Sequence, residues 1–476
     1  MISLTSRLMA ALPIATRFAR AASTCFVAAM LLSSFPSRAQ QPLPGPFLTG
    51  SGATDNDYIA GVAMSDDGNT AVVASDKDDN STGAAWVFVR NNGAWSQQGP
   101  KLVGSGAQQN AGLAVAMSGD GNTVALGKNQ EGTVWIFHRN GTSWVEQAKI
   151  APAGGREAGF GATLALPYEG RVVVVGAPRA GANGSLEGAA YIFGPSGGNW
   201  VRLSVLGPTP PVTGSSFGQW VAISRDMSTI AIGTLTGPAN PVYVYAVGTG
   251  FNWTLQATLK DPQGGLTAGA ALSRDGNTAF LAGDFAFGTA FVFLRSSGAW
   301  ALQAPLPNPG GGYAFALSAD GNTVISGVAQ SFIFRRYVQN WLPLGSKVAA
   351  PSGGRTVGLS ADGSSAILPG LGGAWVLPVD PPRTVWGVVN RDGTVRSTGG
   401  NFTLTRQSVG QYLITFVPPF ANQPALVASQ ANYGFGQSTL DNVIFPRANA
   451  NSAIAVTGDD RGVLTDRAFS FVATGN

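Results

Sequence analysis

Short apolar runs alternate with tight polar turns along most of the chain. The pattern is clearest in Gly311 to Phe334, GGYAFALSADGNTVISGVAQSFIF. Apolar runs over 314–317 and 324–327 flank Ser318-Ala319-Asp320-Gly321-Asn322-Thr323, and a third run follows at 332–334. Asp-Gly and Gly-Asn steps suit the positive φ angles of hairpin turns, so the first two runs are expected to form an antiparallel hairpin. Related turns begin at Ser65, Ser118, Pro167, Ser224, Ser273, Ser318 and Ser360, spaced by 53, 49, 57, 49, 45 and 42 residues. An aromatic strand follows each turn, as in Trp86-Val87-Phe88, Trp135-Ile136-Phe137 and Tyr191-Ile192-Phe193. The first six units then carry a further Trp, at positions 95, 144, 200, 253, 300 and 341. Four of these Trp residues have Gln three positions on, at Gln98, Gln147, Gln256 and Gln303.

Four strands per unit at a period in the forties and fifties predict a β-propeller, because each sheet buries its faces only against neighbouring copies. Seven turns in phase predict seven blades. The seventh unit has no Trp-led strand, and Pro44 to Gly50 is expected to supply the strand that starts blade 1. Leu377 to Arg383 is a Pro-rich break. Beyond it the short apolar runs continue without the repeat, which predicts a small β-sandwich or jelly roll over 384–476. The expected fold is therefore all-β: a seven-bladed propeller over 40–380 and a C-terminal β-sandwich.

Composition fits this reading. Charged residues are only 11% and there are 65 Gly. The formal charge of +4 comes from Arg7, Arg17, Arg20 and Arg38; beyond position 39 stand 25 basic and 25 acidic residues. That balance gives no electrostatic case for a nucleic-acid partner. Residues 1–39 read as a secretory leader, with arginines ahead of the apolar run Cys25 to Leu32 and a small-x-small site at Ser37-Arg38-Ala39. Cleavage there would remove the chain's one cysteine and leave no membrane span in the mature chain. The expected location is the cell envelope or the exterior.

Phe160-Gly161 followed by Gly176-Ala177-Pro178 resembles the FG-GAP pattern, the blade repeat of the integrin α-subunit propeller and of many bacterial exported proteins. Phe217-Gly218 with Gly233 repeats part of it, and Gly127, Gly283 and Gly327 keep fragments over residues 42–379. The resemblance implies a propeller used for binding or adhesion. It also raises the question of calcium, which FG-GAP blades of integrins bind between the two marks. In this chain that loop has shrunk to S-x-D-G-N-T with one carboxylate, too few oxygens for calcium. The repeated Asp is expected to bond turn amides instead. Asp76, Asp78 and Asn80 alternate as calcium-loop ligands do, but no later acid closes the set. A solvated loop is the simpler reading, and no cofactor is expected.

His138 is the only histidine, so no Ser-His-Asp site with a second copy and no His-rich zinc site can be built. The phased Trp residues are expected to pack between blades. Trp220 and Tyr313 break that phase, and Tyr433 and Phe435 lie in a Gly-rich stretch; these four are the candidate binding residues. The reading is an exported, non-catalytic binding or adhesion protein that engages a protein or glycan through propeller loops. Two alternatives stand beside it: a polysaccharide lyase or hydrolase with carboxylates in the channel, and an envelope protein assembling through its last domain.

Overall fold

A computed structural model describes residues 45–475, apart from 55–58, 110–111, 154–156, 182–185, 236–239, 263–266, 284–289, 304–305, 307–313, 328–330, 338–339, 345–355, 380–382, 418, 421–422, 431–441 and 460. The leader and Tyr313, Tyr433 and Phe435 lie outside the described residues.

The chain forms a β-propeller. Each S-x-D-G-N-T turn joins two strands of one sheet, the aromatic strand adds a third and the Trp-led strand a fourth. In the first blade these are Gly61–Met64, Thr70–Ser75, Ala84–Asn91 and Ala94–Gln97, paired antiparallel in that order. Six sheets follow this scheme among the described residues, and a seventh sheet of four strands joins them. Their innermost strands touch in succession, and that of the seventh sheet, Gly358–Leu359, touches that of the first. The ring is closed.

The seventh sheet departs from the expectation. Phe47–Leu48 pairs with Gly373–Pro378, the outer side of blade 7, and does not start blade 1. The reason is the missing Trp-led strand: the N-terminal segment fills that vacant edge, and Phe47 packs on Trp375 at 4.7 Å between ring centroids.

Burial explains why the strands read as near-continuous apolar runs. Both faces of a second or third strand meet neighbouring sheets, so Thr70–Ser75 and Val173–Ala177 are buried at every position. Each core is drawn from two successive blades. One joins Val72 and Val87 of blade 1 to Val115, Trp135 and Phe137 of blade 2. Another joins Ala125 and Ile136 of blade 2 to Val173 and Tyr191 of blade 3.

Residues 383–475 form two further sheets. One orders Val395–Gly399, Arg383–Val389, Phe469–Gly475 and Ala425–Gln430; the other orders Phe402–Ser408, Gln411–Phe416, Ser452–Gly458 and Asn442–Ala448. They share a single core of Val385, Tyr412, Ile414, Phe416, Phe469 and Phe471, with no residue from the propeller.

Candidate functional site

The turn chemistry comes first, because it decides which side chains are free. In blade 1 the Ser65 hydroxyl donates to Asp67 Oδ1 at 2.5 Å, and the Asn69 amide donates to the same oxygen at 2.9 Å. The Thr70 amide donates to Ser65 Oγ at 2.9 Å. The same bonds recur around Asp226, Asp320 and Asp362. Burial opposes ionisation at these carboxyls, but the hydroxyl and amide bonds outweigh it and hold them below the ordinary value. These Asp residues hold turns.

The Trp and Gln slots hold blades to one another. Trp144 Nε1 of blade 2 donates to Gln98 of blade 1 at 3.1 Å, Trp200 to Gln147 at 3.3 Å and Trp300 to Gln256 at 3.0 Å. Arg90, Arg139, Arg295 and Arg336 stack over the Trp of their own blade, 5.1 to 5.7 Å from the ring centroid. Arg139 and Arg295 also reach back to Thr70 and Thr229 of the preceding blade. His138, beside this slot, is exposed and faces Thr123 Oγ1 at 3.3 Å.

The Asp76 loop is engaged as well. Asp78 is buried: Oδ1 accepts from the Thr54 amide at 2.8 Å, and Oδ2 pairs with Lys101 Nζ at 2.6 Å. Asp76 Oδ2 accepts from the Gly112 amide at 3.0 Å, and Asn80 is exposed. An ammonium already neutralises the Asp78 carboxylate, so these three residues do not fit a calcium site. Among the described residues no three His, Cys, Asp or Glu side chains are grouped to share a metal. Close by, the buried Lys128 ammonium reaches the carbonyls of Ser81, Thr82 and Gln108 and lies 3.1 Å from Glu131, so a side chain supplies the local cation.

At the turn end of the channel, the residue after each turn's first position forms a ring: Asp66, Gly119, Tyr168, Arg225, Arg274, Ala319 and Ala361. Backbone bonds link consecutive turns. Asp66 N donates to Gly119 O at 2.7 Å, Asp120 N to Tyr168 O at 2.9 Å, Tyr168 N to Arg225 O at 3.4 Å and Arg225 N to Arg274 O at 2.6 Å. Asp275 N then donates to Ala319 O at 3.2 Å, Ala319 N to Ala361 O at 2.8 Å and Ala361 N to Asp66 O at 2.8 Å, which closes the circle. With the backbone so occupied, side chains decide what this mouth presents.

A cavity of about 560 Å³ opens there, lined by Pro167, Tyr168, Arg225, Met227, Arg274 and Ala319, with Glu169, Asp226 and Asp275 at its wall. Arg274 Nη1 lies 2.6 Å from Asp66 Oδ1, and Arg225 Nη1 lies 3.8 Å from Oδ2. The contacts are ion pairs and not aligned hydrogen bonds: neither Asp66 oxygen has a hydrogen-bond partner among the described residues. Burial pushes the Asp66 carboxyl above its ordinary value, and the Arg274 and Arg225 charges only partly offset this. Arg225 stacks on Tyr168 at 3.8 Å and is 46% exposed. None of these four residues stood among the sequence candidates. Trp220, the one such candidate within the described residues, is half-buried against Gly233. It lies at the far end of Trp220–Ile223 from the turn ring.

The FG and GAP marks also acquire a physical meaning. Phe160 is fully buried and meets Tyr191 and Phe193 edge-on at 5.4 and 5.8 Å. Phe217 repeats this against Tyr243 and Tyr245. The following glycines, Gly161 and Gly218, sit at φ +85° and +91°. Their carbonyls press on Gly127 and Gly176 of the preceding blade, where a Cβ would overlap them. Residues 144–193 match the FG-GAP repeat. The FG-GAP match runs from the Trp-led strand of blade 2 through the aromatic strand of blade 3. A chain from a crystal structure of the mitotic checkpoint complex is similar in fold, with a TM-score of 0.51 and 14% identity, covering 80% of this chain and 98% of that one. Hydrazine synthase of Kuenenia stuttgartiensis gives a TM-score of 0.49 at 14% identity, covering 72% of this chain and 98% of that one. No curated protein sequence matches the chain. Among the described residues no helix is long and apolar enough to cross a membrane, which says nothing of spans made of strands.

Proposed function

We propose that the chain is an exported, non-catalytic scaffold that binds a protein partner through the turn face of its propeller. One observation carries this reading. The repeated Asp, Arg, Trp and Gln side chains are occupied within turns and between blades, whereas the turn ring differs from copy to copy and four of its turns line an open cavity. The Asp226 and Asp275 carboxylates at that cavity accept turn amides at 2.9 Å, which counts against acid–base chemistry there. Residues 384–476 act as a separate C-terminal domain in this proposal, supported by their self-contained core.

The test is an array of proteins and glycans probed with the chain from Gln40 to Asn476, in calcium and in EDTA. Protein ligands retained in EDTA and lost in Tyr168→Ala are the expected result. A blank array, or ligands indifferent to Tyr168, would overturn the proposal; glycan ligands alone would move it to a sugar-binding role.

A further inference from the structure

We propose that the channel mouth is a carboxylate-binding site in which Arg225 and Arg274 hold one Asp or Glu side chain of a partner protein. The inference rests on the binding role above and supplies its ligand chemistry. The first ground is the number of guanidiniums that face Asp66. Two guanidiniums, from blades 4 and 5, converge on one carboxylate, Asp66 of blade 1. Asp66 is only 8% exposed, yet neither of its oxygens finds an aligned donor among the described residues. One carboxylate faces two guanidiniums, Arg274 in close contact and Arg225 at 3.8 Å, so the donors of Arg225 are left over.

The second ground is access. The Arg225 side chain lines the cavity, and its guanidinium carbon lies 3.8 Å from the Tyr168 ring centroid. A guanidinium fixed in this way offers its remaining edge to a planar acceptor at little further entropic cost. The third ground separates carboxylate from phosphate. Glu169, Asp226 and Asp275 line the same cavity, so a dianion would meet three carboxylates that a monoanion meets at half the charge. Pro167, Met227 and Ala319 add apolar wall, which suits the methylene stem of an acidic side chain. Asp66 then acts as an internal competitor, occupying Arg274 until a ligand carboxylate takes up Arg225.

The experiment uses the chain from Gln40 to Asn476 and two capped peptides, acetyl-Gly-Asp-Gly-amide and acetyl-Gly-Asn-Gly-amide, titrated by calorimetry beside phosphate and D-glucuronate. The Asp peptide should bind and the Asn peptide should not. Arg225→Gln, at an exposed side chain, should weaken binding at least about tenfold, and Asp66→Asn should tighten it about tenfold by removing the competitor. Circular dichroism would confirm that both variants keep the fold. An Asn peptide that binds equally, an Arg225→Gln variant that binds unchanged, or no binding of the Asp peptide at millimolar concentration would overturn the site. Tighter binding of glucuronate or phosphate would overturn the polypeptide carboxylate as its ligand. Partner capture on the array that survives Arg225→Gln would sink this inference and leave the binding role standing. Asp-peptide binding with a blank array would do the reverse.

Discussion

Each sheet in the ring is covered by two neighbours, and each core borrows side chains from both sides of a blade boundary. The two sheets of residues 383–475 share one core instead, with a polar knot at its edge. There Asp466 accepts from Arg406 Nε at 3.1 Å and Nη2 at 2.5 Å, from the Gly410 amide at 2.8 Å and from the Tyr412 hydroxyl at 3.1 Å. The ring spreads its cohesion over many equivalent small contacts, whereas the sandwich concentrates it. A lesion in the ring should therefore act on two blades at once, and a lesion in the sandwich on the whole sandwich.

The largest effects come from the buried aromatics. Phe217→Ala should cost about 3–5 kcal/mol and lower the propeller's melting transition, while Phe469→Ala should cost a similar amount and lower only that of the sandwich. Calorimetry on the two variants checks this; one transition shifting in both would break the comparison. Next comes the contact between an FG carbonyl and a GAP glycine. Gly176→Ala forces a methyl group onto the Gly218 carbonyl and should cost about 1–3 kcal/mol in denaturant titrations. The Trp–Gln bond across blades is smaller. Gln98→Ala removes the acceptor of Trp144 Nε1 and should cost about 0.5–1.5 kcal/mol, with Trp144 fluorescence reporting the local change.

Acid adds a finer contrast, because it acts with opposite sign on Asp466 of the sandwich and Asp66 of the ring. The bonds from Arg406, Gly410 and Tyr412 outweigh burial at Asp466 and lower its carboxyl to about 2. Its native state therefore binds the proton less readily than the unfolded chain. That stabilisation is present above the ordinary carboxyl range and is lost as the pH falls through about 2. Asp66 is shifted the other way by burial, so the native ring binds its proton more readily than the unfolded chain. Its contribution improves as the pH falls below the raised value. Urea titrations of Asp466→Asn and Asp66→Asn across the acid range would show the first losing a component that weakens in acid and the second losing one that strengthens in acid.

Much of the ring is legible in the sequence, because a turn that repeats in phase leaves a periodic trace of Ser, Asp, Gly and Asn. The Trp and Gln slots are visible for the same reason, and their phase already points to packing between blades, but the bonds that join them are not visible. A bond from Trp144 to Gln98 joins residues in different units, and spacing alone does not say which Gln meets which Trp. The sequence reads Asp76, Asp78 and Asn80 as a solvated loop, whereas Asp76 and Asp78 are buried, because the Gly112 amide and Lys101, which lie outside the loop, take up their carboxylates. Asp66, Tyr168, Arg225 and Arg274 were passed over because they occupy the variable position of S-x-D-G-N-T. The usable signal was the variation itself: charge and an aromatic appear at a position where neighbouring copies carry Gly or Ala. The vacancy in blade 7 is legible as a missing Trp-led strand, but that residues 47–48 fill it, and do not start blade 1, depends on closure of the ring.

That strand has a consequence for how the chain comes into being. Every other blade is continuous in sequence and can fold as it emerges, with turns and pairings that close over short loops. Blade 7 cannot, because Phe47–Leu48 must wait for Gly373–Pro378 to be made. Until then a growing array of sheets carries raw edges at both ends, and joining them is a single late, long-range event. The first of the described strands thus waits for the last blade before it is paired, which makes it the clasp that turns an open stack into a ring.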